Sequence, residues 1–138
     1  MENVRYGVIG IGNMGTSHSG WLAGGKIPGA TLTAVCDIDE KRRAWAKENL
    51  PEVAVFEDYK ELLDSSLVDA VIIAVPHYLH PEMAIESLKR NINTMVEKPA
   101  GVYASQIREM NAEAEKHPDV KFAMMFNQRT NCVYRKMH

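Results

Sequence analysis

VRYGVIGIGNMG, residues 4–15, passes from a short apolar stretch through three glycines into residues of helical pattern. Arg5 to Ile9 reads as a strand. The turn from Gly10 to Gly15 then opens a helix that reaches Ala23 before Gly24-Gly25 stops it. Gly10, Gly12 and Gly15 fall in the GxGxxG spacing, and each has a separate physical task. The first permits a tight turn, the second lets a ligand approach the backbone, and the third lets helix and strand pack closely. The helix start adds unpaired N–H groups and a partial positive charge, which together favour an anion.

An isolated GxGxxG is more often a tight turn that holds nothing. Here Asp37 ends a second strand, TLTAVCD (residues 31–37), about 20 residues past the third glycine, where a carboxylate can accept hydrogen bonds from both hydroxyls of a ribose. Strand, glycines, helix and acid in that order point to a dinucleotide. Candidate contacts are Gly10, Ile11, Gly12, Asn13, Met14 and Gly15 in the loop, with Asp37 and Ile38 at the second strand end. A carboxylate at that place repels the 2′-phosphate of NADP, so NAD is the favoured cofactor and NADP the alternative. Arg42 and Arg43 leave several roles open: swinging toward a 2′-phosphate, lying over the adenine, or, for at least one of them, solvating a helix start.

The remaining chain repeats the strand–helix alternation of a βαβ architecture. A helix over Glu40 to Asn49 stops before Pro51, and VAVF (53–56) is a short third strand. Asp58 and Glu61 have the spacing of a capping box for a short helix with an apolar face at Tyr59, Leu62 and Leu63. VDAVIIAVP (68–76) is apolar on both faces, which predicts a central strand covered by helices on both sides. Pro81 suits the first position of the next helix, and Asn91 suits its left-handed end. NTMVEKP (93–99) is a fifth strand and VKFAMMF (120–126) a sixth. Between them lies a helix striped by Tyr103, Ile107, Met110 and Ala114. The fold class is α/β: a Rossmann-type, doubly wound, mainly parallel six-stranded sheet of order 3-2-1-4-5-6. Ligands of such sheets bind beyond the strand C-termini, so Ala74, Val75, Pro76 and His77 should face Glu97 and Lys98 across a crevice.

Composition narrows the function classes. The 138 residues are 46% hydrophobic and 25% charged, with 16 Lys+Arg against 18 Asp+Glu and a formal charge of −2. That balance favours neither nucleic acid nor an anionic membrane as partner. Cys36 and Cys132 lie far apart without CxxC spacing, so no metal site is expected, and both read as buried, inert thiols of a reducing compartment. No secretory signal or membrane-length apolar run is present, and a cytoplasmic protein is expected.

VRYGVIGIGNMG, DIDEKRR, LVDAVIIAVP, HYLHPEMA, VEKPAG and MMFNQR together resemble the cofactor domain of the glucose–fructose oxidoreductase / inositol dehydrogenase family over nearly the whole chain. Glu97-Lys98-Pro99 is the most specific part of the match. The resemblance implies an NAD(P)-dependent dehydrogenase acting on a sugar, cyclitol or related polyol. It makes Lys98 the catalytic group, placed by nicotinamide and substrate at the end of the fifth strand. There a positive charge favours an alkoxide-like substrate, or the lysine relays its proton. Glu97 is implied as a support for Lys98 or a cofactor contact, and Pro99 as the residue that fixes the turn, a cis peptide being one way to do so. His80 matches a family histidine near the nicotinamide, although a helix cap explains it equally well. His77 departs from the Asn or Thr usual at its position, and RNIN (90–93) from the usual Gly-Lys-His. Asn127 and Arg129 match a segment that lines the crevice.

Family members continue into a second domain that carries most substrate contacts. Residues 1–126 are therefore expected to form the cofactor domain and 127–138 the start of the connection, in a segment that binds cofactor without turnover. A stand-alone NAD-binding sensor or partner subunit is the alternative, against which the intact lysine trio argues. A doubly wound scaffold without nucleotide is a third reading. Met124, Met125 and Phe126 on the face awaiting the second domain lead to the expectation of a homo-oligomer.

Overall fold

A computed structural model describes residues 3–130 and 132–136. Six parallel strands stand in the order β3-β2-β1-β4-β5-β6. They are β1 (Val4–Ile9), β2 (Ala30–Cys36), β3 (Ala54–Phe56), β4 (Ala70–Ile73), β5 (Asn93–Val96) and β6 (Phe122–Met124). Five helices connect them: α1 (Asn13–Ala23), α2 (Glu40–Asn49), α3 (Tyr59–Asp64), α4 (His80–Lys89) and α5 (Ala104–Glu115). A 3₁₀ turn, His77–Leu79, leads into α4, and short helical segments α6 (Asn127–Thr130) and α7 (Cys132–Arg135) follow β6.

Strand β4 and the C-terminal halves of β1 and β2 are apolar throughout because each face has its own helical cover. Val8, Val35 and Ile72 pack with Leu22 of α1 and Ala46 of α2. Their neighbours Ile9, Cys36, Val71 and Ile73 pack on the other side with Leu62 of α3, Ala84 of α4 and Met110 of α5. Successive strand residues point to opposite faces, so one continuous apolar run supplies two cores. All four residues of β4 are buried, as expected of the strand beside β1 at the middle of the sheet.

Local chemistry sets the helix ends. Asp39 and Asp58 cap α2 and α3 by accepting the Lys41 and Lys60 N–H groups. Asn91, two residues past α4, has φ +57° and ends the helix in the left-handed region that its short polar side chain tolerates. Helix α4 starts one residue earlier than expected, at His80, with Pro81 in its first turn.

Two expectations fail. Tyr103 is not in the buried stripe of α5: it is 68% exposed and precedes the helix, where Gln106 Oε1 accepts the N–H groups of Val102 and Tyr103. An aromatic three to four residues before an apolar stripe fits the helical period whether or not the backbone has yet entered the helix. The two cysteines also differ, Cys36 being buried and Cys132 exposed. Burial, helped by the nearby carboxylates of Asp37 and Asp58, pushes the Cys36 thiol up to about 12. A disulfide reagent at mildly alkaline pH should therefore modify Cys132 promptly and Cys36 only after unfolding, because the thiolate is the nucleophile. Thiol counts of one in the native chain and two in guanidinium chloride are expected; two in the native chain would contradict this packing.

Candidate dinucleotide site

The crevice lies where the strand order reverses, beyond the C-terminal ends of β1 and β4. Gly10 follows β1 with φ +87°, and a Cβ there would lie 2.8 Å from the carbonyl oxygen of Ala74, just beyond β4. A Cβ on Gly15 would collide with the Gly10 carbonyl, so these two positions take glycine because of the fold itself. Gly12 differs. Its φ of −69° and ψ of −161° are open to any residue, and an added Cβ would meet only the Arg42 Nη1, at 3.8 Å. Among the described residues no contact requires a glycine there.

Side chains from β2 and α2 fix the loop. Asp37 Oδ2 accepts the Ile11 N–H at 2.9 Å, and Oδ1 accepts that of Asp39 at 2.9 Å. The Ile11 carbonyl in turn accepts from Arg42 Nη1 at 2.8 Å and Thr16 Oγ1 at 3.0 Å. Asp37 thus anchors the glycine loop while its carboxylate keeps further lone pairs for other donors. Gly12 caps α1 without any side-chain bond, leaving the first-turn N–H groups without a side-chain acceptor.

A cleft of 880 Å³ joins Gly10, Gly12, Asp37, Ile38 and Arg42 to Ala74, Val75 and Pro76. Its far wall was missed from sequence: Glu57, Asp58, Tyr59 and Glu61 after β3, with Tyr78, Leu79 and Met83 from the approach to α4. The 3-2-1 order was the available signal, since it sets the end of β3 beside the end of β2. Neither arginine simply solvates a helix start. Arg43 Nη1 donates to the Asp37 and Ile38 carbonyls at 3.0 and 2.8 Å, and its Nη2 pairs with Glu57 at 3.0 Å. Tyr59 donates to Glu82 at 2.8 Å, and burial together with that bond raises its pKa.

Other candidate residues lie outside this cleft. Ile11 and Gly15 are buried in the loop, whereas Asn13 and Met14 are exposed at the start of α1. His77 is exposed, its ring edge-on to Tyr78. His80 is 1% exposed, with Nδ1 and Nε2 each 2.8 Å from a carbonyl oxygen, of Pro99 and Val75 respectively. Val75 lines the cleft, and His80 meets that wall at the Val75 carbonyl without lining the cleft itself. Asn127 is exposed after β6. Strand β5 ends at Val96, so Glu97, Lys98 and Pro99 form the turn beyond it, with a cis Lys98–Pro99 peptide. Lys98 is exposed and Glu97 buried.

Glu97 reveals a partner not foreseen: His18 Nε2 lies 2.7 Å from Glu97 Oε1, both side chains being buried. Gly15, His18, Ser19 and Leu22 are the buried residues of α1, an i, i+3, i+4, i+7 stripe. Two polar residues in such a stripe were the readable signal. Among the described residues no cluster able to hold a metal ion occurs, and no helix is long and apolar enough to cross a membrane.

The model of an oxidoreductase family with an NAD-binding Rossmann fold matches residues 4–125. Inositol 2-dehydrogenase of Arthrobacter sp. (strain FB24) is 33% identical over 133 residues, 96% of this chain and 39% of that protein. A glycosyl hydrolase family 109 protein of Saccharopolyspora erythraea is 32% identical over 83% of this chain and 27% of its own length. The crystal structure of scyllo-inositol dehydrogenase from Lactobacillus casei with bound NAD(H) and scyllo-inositol superposes with a TM-score of 0.93 at 28% identity, covering 99% of this chain and 40% of that one. The chain thus spans about two fifths or less of the length of these proteins. Nothing in the matches supports a non-catalytic sensor or partner subunit. A Rossmann sheet in the expected order, a glycine loop open at its middle glycine and a family match over residues 4–125 identify the chain as a member of the NAD-binding oxidoreductase family.

Proposed function

We propose that this chain is the cofactor half of a dehydrogenase and binds NAD with its pyrophosphate against Gly12 and the start of α1. The space beside Gly12 carries this reading. Contacts within the protein account for Gly10 and Gly15, whereas among the described residues none excludes a side chain at Gly12, and that space faces the cleft. A pyrophosphate fits, because the cleft lies there and the uncapped first turn of α1 offers N–H donors and a partial positive charge. Bound NAD supplies a hydride acceptor; the protein's part is to bind and orient it.

Charge supports NAD over NADP. Asp37, Glu57, Asp58 and Glu61 line the same cleft, and of the two neighbouring arginines Arg43 is already tied to Glu57. A 2′-phosphate would enter beside carboxylates with only Arg42 to offset them. Ile38, 83% exposed at the end of β2, offers an apolar surface for the adenine ring.

Lys98 is the proposed catalytic residue. Its ammonium would stand by the substrate hydroxyl, favouring the alkoxide as hydride leaves carbon, or passing the hydroxyl proton onward. Glu97 and Pro99 support that turn. The substrate is a sugar, cyclitol or related polyol, with most of its contacts supplied by a domain outside this chain. Residues 1–126 serve as the cofactor domain and 127–138 as the start of the connection. The whole works as a cytoplasmic homo-oligomer, supported by Phe126, which lies 48% exposed under the Arg129 guanidinium beside half-buried Met124 and Met125.

Titration by nicotinamide fluorescence tests the cofactor reading. The chain should bind NADH at least about tenfold more tightly than NADPH, a difference of ~1.4 kcal/mol. Gly12→Ala, at the N-cap of α1, should cost no more than ~1 kcal/mol of stability, yet weaken NADH at least about tenfold. Gly15→Ala should instead destabilise the fold, by about 3 kcal/mol. Unchanged NADH affinity in Gly12→Ala would overturn the proposal. Sedimentation velocity tests the assembly: self-association is expected, and a clean monomer at high concentration would contradict it.

A further inference from the structure

Two buried histidines bond to the Lys98 turn, His18 at Glu97 and His80 at Pro99. His18, one turn into α1 from Gly15, meets Glu97 Oε1 through Nε2 at 2.7 Å, and its ring and that of Trp21 stand nearly perpendicular with centroids 5.6 Å apart. The other Glu97 oxygen, Oε2, accepts the N–H of Lys98 itself at 3.2 Å, and the Glu97 N–H donates to the Ile73 carbonyl of β4 at 2.9 Å. Across the turn, His80 links the Pro99 carbonyl to that of Val75. The chain of contacts therefore runs from the phosphate helix through His18 and Glu97 to the backbone of the proposed catalytic lysine.

A buried carboxylate needs donors for both oxygens. At Glu97 one donor is the Lys98 amide, and among the described residues the other is His18. Apolar pairs of similar volume often replace buried ion pairs without loss of stability, but an apolar side chain in place of Glu97 would hold no amide. This arrangement ties Glu97 to both α1 and Lys98, which packing alone does not require.

We propose that His18 is a positioning residue that fixes Glu97 and, through it, the Lys98 turn relative to the helix whose N-terminus faces the cofactor phosphates. The role in reaction rests on the reading of Lys98 as the group at the reacting centre; the geometric role does not.

The test uses the 138-residue chain labelled with ¹⁵N, in native form and as His18→Leu and His18→Gln. Glutamine retains an Nε2 donor at similar reach. In His18→Leu the Lys98 amide should exchange with solvent about tenfold faster and its resonance should move, while amides of β1, β2 and β4 keep their protection. His18→Gln should restore most of the native Lys98 behaviour. Three results would overturn the proposal: no change at Lys98 in His18→Leu, equal effects in both variants, or a loss of protection spread evenly over the sheet. If His18→Leu does not fold, ring spectra of the native chain decide instead. A slowly exchanging, downfield Nε2–H on His18 is expected, and its absence overturns the proposal. NADH titration of the same samples separates the two readings. A native chain that ignores NADH sinks the cofactor proposal, while the Lys98 amide still decides the clamp.

Discussion

Gly15 lies so close to the Gly10 carbonyl that no side chain fits between helix and strand. That crowding sets the start of α1 directly over the end of β1, and much else follows from it. It aims the uncapped first turn at the crevice and brings His18 within reach of Glu97. The Ile11 backbone is then left where Asp37, Arg42 and Thr16 can bond to it. The loop is therefore held by bonds within the protein, and such preorganisation reduces the ordering cost of binding.

The fold was legible because two-sided burial leaves a strong mark. A run such as VIIA can be satisfied only between two helical layers, and short β-branched runs separated by helical stripes leave few topologies. Asn91 and the two fold-bound glycines were also readable, because backbone conformation dictated residue type locally. Tyr103 shows where this logic stops. A periodic aromatic carries no mark of whether its own backbone is helical, and Gln106 settled the helix start instead.

The site was legible only in part, and the division is physical. Gly12 and Asp37 stood out because glycine spacing and strand end lie within one short segment, and the structure sets both in the same cleft. Glu57 acquires its place from the pairing of β3 with β2, and His18 from a carboxylate 79 residues away. The arginines of DEKRR left several roles open, solvation for at least one among them, yet both turn back to backbone carbonyls at the glycine loop and the end of β2. Long side chains choose among partners that only the assembled sheet supplies.

The central claim is that Gly12 is glycine for the sake of a ligand. A crystal structure of the chain grown with saturating NAD tests this most directly. Pyrophosphate density in contact with the Gly12 backbone and the first turn of α1 is expected, with a ribose on Asp37. A dinucleotide bound elsewhere, or an ordered Gly12 face with no nucleotide against it, would contradict the account.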